Sequence, residues 1–567
     1  MSFFTILKTF LEFPIEIPIE NANLQIETRC FDTMKKWAFY LLLKIAKFSS
    51  KKVKTPIFKV FLNKETSEFA EYSFKYLNKS PFFKLPPKIH LSALKFLEFS
   101  LKQQKFSINS LDFILKALIP SIFLTKDYEN LWNSDPQEWI CREESPDCIE
   151  NAIQKRISNV IMLMIEKDQN LANNFNMKMK EFFQAEQKTE IWLYQEAFMR
   201  IAYGNSQFTQ EPMIMLMLNV GFSSALGLLR ARACILVSEI QILEFKDAIF
   251  IEKTIESLAN CLQDSELPVR YFACLGLNFL IDDERVQHKL KPIILTVTEL
   301  LLKLMDKIYN EQTVCTLEKI IELFSVEISG ISTELLRILI KNFLQYAEKR
   351  ANMKKNQEEE AELAGIRILE AIKTLIEKKH GDLDIQGLDI IWNFAFRPEN
   401  NEFLKPAVEI LALLMKNNAF LDERLVLYFP ITIYTIIGVP RYSIENPDLM
   451  KFPIEIRELL AILAIHHNGF EYLEVLMGCL AAFIAKFKGE IMNRKDLFGN
   501  SFIELIGLLV IGSKNEAGFE KSLCLHLFVF ILEKNEGLAW NLYEEIASLA
   551  LENTEESLVK AKNVEIV

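Results

Sequence analysis

Three consecutive carboxylates, Glu358, Glu359 and Glu360, close the segment AEKRANMKKNQEEEAEL at 347–363, whose first half is basic. Such a run can draw in a Lys/Arg-rich peptide, with salt screening the attraction beyond ~8 Å. It also suits a solvated charged helix. Catalysis needs converging reactive groups, and the patterns that carry it are missing: there is no GxxxxGK, HExxH, GxSxG or GxGxxG. His466 and His467 are the clustered histidines. Adjacent on a helix, they point about 100° apart, and Glu471 alone stands at a helical spacing from them, so no metal site is expected. The nine cysteines, Cys30, Cys141, Cys148, Cys234, Cys261, Cys274, Cys315, Cys479 and Cys524, contain no CxxC pair and have mostly apolar neighbours. That describes reduced, buried thiols of an intracellular protein. The reading is a binding protein without cofactor, not an enzyme.

The elements that must carry these residues are helices. Half of the 567 residues are hydrophobic, while 17 Gly and 18 Pro are too few punctuators for many short strands and turns. Apolar residues recur at three- and four-residue spacing, as in LFVFILEKNEGLAWNLYEEIASLAL near the C-terminus. Breaks such as Pro120, Pro268, Pro292, Pro406 and Gly469 separate the helices and point to pairs stacked in series. The 44 Phe fit a core of bulky rings. The net charge of −11 disfavours nucleic-acid phosphates and favours basic proteins. The start, MSFFTILKTFLEF, has no basic region ahead of its apolar stretch and leads into the acidic IEIPIE, so no secretory signal is expected. LVLYFPITIYTIIGVP at 425–440 falls short of the ~20 residues of a membrane span and contains Pro430, so it reads as a buried helix pair. Cytosol and nucleus are the expected compartments.

A repeat is specific in the middle of the chain. LRARACILVSEI at 229–240 aligns with VRYFACLGLNFL at 269–280, placing Arg230 on Arg270, Ala233 on Ala273 and Cys234 on Cys274. A period of about 40 with two helices per unit is that of HEAT and armadillo arrays, and roughly 13 such units would fill the chain. In CLQDSELPVR, Asp264 stands in the turn, Pro268 opens the next helix, and Arg270 follows. Pro fits a first turn, where no backbone N–H is needed, and small Ala lets helices approach. The two arginines suit turn carboxylates and helix-end carbonyls. One pair cannot bury its own apolar face, so neighbours must stack. The expected fold is all-α, a HEAT-repeat (armadillo-like) α-α superhelical solenoid, organised as repeats over 1–346, a charged loop at 347–363 and further repeats over 364–567.

Several blocks in order resemble the importin-seven/importin-eight group of importin-β-like karyopherins: CFDTMKKWAFYLLLKIAK at 30–47 with Trp37, SEFAEYSFKYL at 67–77, DYENLWNSDPQEWI at 127–140, RARAC at 230–234, CLQDSELPV at 261–269 and GIRILEAIKTLI at 365–376. The third block is the most specific. Its Trp132, Asp135, Pro136 and Trp139 form LW-x-x-DP-x-x-W, similar to the LW-x-x-DP-x-x-Y of that group. Asp135 and Pro136 also make an N-cap and first-turn pair, with Glu138 near the positive end of the dipole. The resemblance implies a nuclear transport receptor that grips basic protein cargo, passes the pore through Phe-Gly nucleoporins and releases cargo to Ran GTPase bound to GTP. It assigns Glu358, Glu359 and Glu360 to cargo or Ran contact. It also implies that the amino-terminal Ran-contacting repeats are absent here, in a shortened receptor or an incomplete chain, which puts Ran binding in question. An export receptor of the same superfamily and a non-shuttling HEAT scaffold stay open as alternatives. No nucleic acid and no membrane are expected partners.

Overall fold

In the computed structural model of the chain, residues 24–51, 65–78, 87–104, 106–145, 147–185, 190–204, 211–239, 247–308, 310–350, 355–378, 387–417 and 428–437 are described, with a few single positions outside these ranges. Every regular element among them is helical. Polar residues start many of the helices: the side chains of Thr125, Asp168, Asp247 and Asn310 accept from backbone N–H groups two or three residues on, which satisfies donors a helix start leaves open. The chain divides into two compact units, 1–289 and 290–567.

The first unit contains α1 (Leu24–Lys51), α2 (Thr66–Asn78), α3 (Pro87–Lys102), α4 (Lys126–Ser134), α5 (Pro136–Glu144), α6 (Ile149–Ile165), α7 (Gln169–Gln184), α8 (Ile191–Gly204), α9 (Glu211–Ser223), α10 (Gly227–Glu239), α11 (Ala248–Cys261) and α12 (Leu267–Leu280). Helices α1, α3, α6, α8, α10 and α12 follow one another as one row, each packed on the next. A second row holds α2, the short helical turns Leu111–Phe113, Ile114–Leu118 and Pro120–Ile122, then α7, α9 and α11. The rows are joined pairwise, α2 to α3, α7 to α8, α9 to α10 and α11 to α12. Close approach is built into the pairs: a Cβ on Gly221 of α9 would lie 2.7 Å from the Cβ of Ala233 on α10.

The second unit repeats the scheme with α13 (Ile294–Met305), α14 (Glu311–Leu323), α15 (Ser332–Arg350), α16 (Lys355–Lys378), α17 (Leu388–Ala395), α18 (Asn401–Asn417) and α19 (Tyr428–Ile437). Here α14, α16 and α18 form the row, and α13, α15 and α17 pair with them. Its core runs from Leu302 through Phe343, Ile372 and Trp392 to Phe429. The Trp392 indole N–H donates to the Ala407 carbonyl at 3.0 Å, tying α17 to α18.

The structure bears on three sequence readings. The charged segment is not a loop over 347–363: residues 347–350 end α15 and 355–363 begin α16, with 351–354 outside the described residues. Lys, Glu, Gln and Ala are strong helix formers, so a polar stretch of this composition stays helical. The boundary between compact units falls instead at 289/290. Pro406 does not break a helix but lies inside α18. Losing one backbone hydrogen bond there costs ~3 kcal/mol, against burial of Phe403, Leu404, Ala407 and Val408 in the same turns, each large side chain worth ~1.5–3 kcal/mol. Of 425–440 the described residues are Val426 and α19, which contains Pro430. Among the described residues no helix is long and apolar enough to cross a membrane. Gly469, His466, His467 and Cys524 lie outside the described residues.

His90 on α3 is buried, and its Nε2 has no hydrogen-bond partner among the described residues. Burial pushes its pKa down to about 4. A histidine depressed in the folded chain supplies stability above its unfolded pKa and loses it as pH falls toward the folded value. Relative to His90→Leu, the wild type should therefore lose about 2 kcal/mol of stability between pH 7 and pH 5, read from urea midpoints at the two pH values. Parallel loss in both proteins would show that His90 is not the titrating group.

Candidate functional site

The 40-residue repeat seen in the sequence becomes a ladder of arginines and turns. Arg230, in the first turns of α10, reaches forward to Asp264 in the turn before α12, with Nε to Oδ2 at 2.6 Å and Nη2 to Oδ1 at 2.9 Å. Its Nη1 donates to the carbonyls of Ser224 and Ala225 at 2.9 and 3.0 Å. Arg270 repeats that last contact one unit on, donating to the carbonyls of Asp264 and Ser265 at 2.6 and 3.0 Å. Asp264 also accepts from the backbone N–H of Glu266 at 2.9 Å. Burial alone would raise the Asp264 pKa, but Arg230 and the Glu266 N–H hold it below the usual range. Ala233 and Ala273 are fully buried at matching positions, and Pro268 stands in the first turn of α12.

The Trp-bearing block folds as the hairpin α4–α5, an addition to the two-row scheme. Asp135 caps α5 by accepting from the Glu138 N–H at 3.0 Å, and Pro136 follows at the first helical position. Trp132 and Trp139 meet edge to face at 4.7 Å, and Trp139 continues to Phe272 of α12 at 6.1 Å. The Trp132 indole N–H donates to Glu266, and the Tyr271 hydroxyl donates to Glu144 at 2.7 Å. The hairpin is thus fixed to the row more than a hundred residues further along the chain.

Between these contacts lies a buried ionic cluster that sequence reasoning missed. Glu143 of α5 accepts from Arg232 of α10 at 2.9 Å, from Arg200 of α8 at 3.3 Å and from the Tyr128 hydroxyl at 3.2 Å. Glu196, one turn before Arg200, accepts from both arginines, at 3.0 Å from Arg232. Arg200 also donates to Gln154 of α6 at 2.6 Å. Burial alone would raise the Glu143 pKa, yet Arg200 and Arg232 hold it down to about 2. Burial opposes the charge of Arg232, but Glu143 and Glu196 outweigh it and raise its pKa. Tyr128 is pushed up by burial first and by Glu143 second. The available signal was Glu and Arg four apart inside the apolar segment IWLYQEAFMRIAYG, and Arg232 inside RARAC.

The other sequence candidates are placed apart from this cluster. Trp37 is half exposed on α1, with the Lys36 ammonium 5.6 Å from its ring and Tyr40 against its edge. Glu358, Glu359 and Glu360 lie in the first turns of α16, in the second unit. No group of three or more potential metal ligands occurs among the described residues, and Cys141, Cys148, Cys234, Cys261, Cys274, Cys315 and Cys479 are not in disulfides. Among the described residues the arrangement is one of interlocked supports.

No family model matches the chain. Over 138 residues, 24% of this chain and 13% of the relative, it is 30% identical to a protein described as a probable importin-7 homolog of Dictyostelium discoideum. Over 369 residues, 60% of this chain and 36% of the relative, it is 23% identical to an importin beta-like SAD2 homolog of Arabidopsis thaliana. The chain therefore matches 13% and 36% of those relatives' own lengths. In fold it is similar to Lph2, described as a bidirectional nuclear transport receptor of S. cerevisiae, with a TM-score of 0.61 at 14% identity, covering 97% of this chain and 55% of that one. Helix pairs in two rows, a 40-residue repeat and this likeness define an all-α HEAT-repeat fold.

The cluster makes a stability prediction. Arg232→Ala leaves Glu143 and Glu196 to share Arg200 in a buried setting, and should cost ~3–5 kcal/mol, read as a lowered urea midpoint. Glu143 supplies stability above the ordinary Glu range and loses it as pH falls from about 4.5 through about 2. Glu143→Gln should accordingly flatten the wild type's loss of stability in that acid window. A neutral Arg232→Ala variant would place the structural weight elsewhere.

Proposed function

We propose that this chain, an importin-β-like karyopherin by sequence relatives and fold, is a nuclear transport receptor that carries basic protein cargo into the nucleus, with release linked to Ran bound to GTP. The observation that carries the reading is the hairpin block 126–144, which joins the family-like LW-x-x-DP-x-x-W pattern to the repeat row through Glu266, Phe272 and Tyr271. A HEAT array offers extended surface for binding. The net charge of −11 favours a basic partner. The carboxylates Glu358, Glu359 and Glu360 lie in α16, and they are the proposed cargo contact. Phe-Gly nucleoporins are the proposed route through the pore, and shuttling between cytoplasm and nucleus follows from the role.

The test is a pull-down of the purified chain with Ran locked to GTP and, in parallel, with a Phe-Gly repeat fragment. A transport receptor binds the Phe-Gly fragment. Ran binding in addition, with loss of cargo, supports import, whereas cargo retained only together with Ran indicates export. Binding to neither leaves a HEAT scaffold that does not shuttle. The triple change of Glu358, Glu359 and Glu360 to Gln should weaken a basic cargo about tenfold in 0.15 M salt, taking ~0.5 kcal/mol per exposed pair, with an unchanged urea midpoint. Equal affinity of wild type and triple variant removes these residues from the cargo site.

A further inference from the structure

Although the whole chain is acidic, one cavity of about 440 Å³ in the first unit is strongly basic. It lies where α1, α3 and α6 adjoin, and Lys44 and Lys47 of α1, Lys95 and Lys102 of α3 and Arg156 of α6 line it. The helical register makes this convergence: Lys44 and Lys47 are three apart, Lys95 and Lys102 seven apart, so each pair lies on one face of its helix. Glu98 is the one carboxylate among the described lining residues. Its side chain is buried, and its oxygens are divided between Lys102 and Arg156, each at 2.7 Å, and Asn159 at 3.1 Å.

Glu98 therefore works as a brace. It fixes the guanidinium of Arg156 at the cavity wall, and Lys44, Lys95, Lys102 and Arg156 against this carboxylate leave an excess of positive charge there. That crowding is felt by Lys95, whose pKa is lowered by burial first and then by repulsion from Arg156 and Lys47, with Glu98 pulling the other way. Glu98 itself would be raised by burial but is held low by hydrogen bonds from Lys102 and Arg156. Tyr40, Leu43 and Phe99 supply a non-ionic part of the wall, and the Lys44 ammonium sits 5.4 Å from the Tyr40 ring.

We infer that this cavity binds a compact ligand carrying two or more phosphate groups. The volume is in the range of small-ligand pockets, ~300–1,000 Å³, so the charge must come from a dense anion. A phosphate monoester brings up to two charges and three acceptor oxygens in one group. A guanidinium held in place suits its planar pairs of oxygens, and lysines act around it as point charges. A carboxylate spreads one charge over the same space and leaves more of the lysines uncompensated. The phosphate can be free in solution or borne on a peptide, and the two sources separate experimentally.

Isothermal titration calorimetry in 0.15 M salt would use sodium tripolyphosphate and a short peptide carrying two adjacent phosphoserines, with the unphosphorylated peptide alongside. Wild type is expected to bind at least one phosphate probe, and Lys44→Gln combined with Lys95→Gln to weaken it tenfold or more. Tripolyphosphate alone indicates a free ligand; tighter binding of the phosphopeptide indicates a protein-borne one. A second measurement is independent of the variant's folding: saturating probe should slow acetylation of Lys95 and Lys102 in the wild type and leave distant lysines such as Lys253 unchanged. No binding of either phosphate probe to wild type, equal binding by a folded double variant, or undiminished acetylation of Lys95 and Lys102 would overturn the assignment.

Discussion

Two carboxylates and two guanidiniums, Glu143, Glu196, Arg200 and Arg232, are buried together where α5 meets α8 and α10. Taking four charges out of water costs more than their mutual attraction securely repays, so the cluster is a weak source of net stability. Its effect is on choice of position. A row of similar helices offers a packed hairpin several nearly equivalent seats, because apolar contacts repeat every unit. Arg200 and Arg232 are not repeated in that way: the position of Arg232 corresponds, 40 residues on, to Phe272. A hairpin seated one repeat further along would bury Glu143 against an aromatic ring instead of a guanidinium. The desolvation cost of an unpaired carboxylate then excludes the wrong seat.

That constraint orders the remaining contacts of the first unit. With Glu143 fixed, Glu144 faces Tyr271 and Trp139 faces Phe272, while Trp132 reaches Glu266 just ahead of α12. Residue 266 follows Asp264, which Arg230 holds from the preceding repeat. The hairpin and the arginine ladder therefore end on the same turn, one from each side. The segment DSE at 264–266 thus carries contacts from both, beside the direct contacts of the hairpin with Tyr271 and Phe272 of α12.

Local features of this architecture were legible in the sequence because they depend on neighbours along the chain. The Asp135-Pro136 helix start needs only adjacent residues, and the alignment of Arg230 with Arg270 needs only a fixed period. The partner of Arg230 is 34 residues away but belongs to the same repeat signature. The ionic cluster was not legible, since Glu143 and Arg232 are 89 residues apart and share no motif. Pro406 misled for a related reason: its cost is local and visible, whereas the burial that outweighs it is tertiary. The charged stretch at 347–363 was read by polarity alone, and polarity does not distinguish a loop from the solvated continuation of a helix.

Net charge proved an equally coarse guide. A total of −11 describes the mean surface. It is silent about α1 and α3, where lysines at helical spacing gather on one cavity while Glu98 is consumed by its own braces. The Debye length in physiological salt, ~8 Å, is short against the dimensions of either unit, so each patch acts through its immediate surroundings and not through the charge of the whole chain.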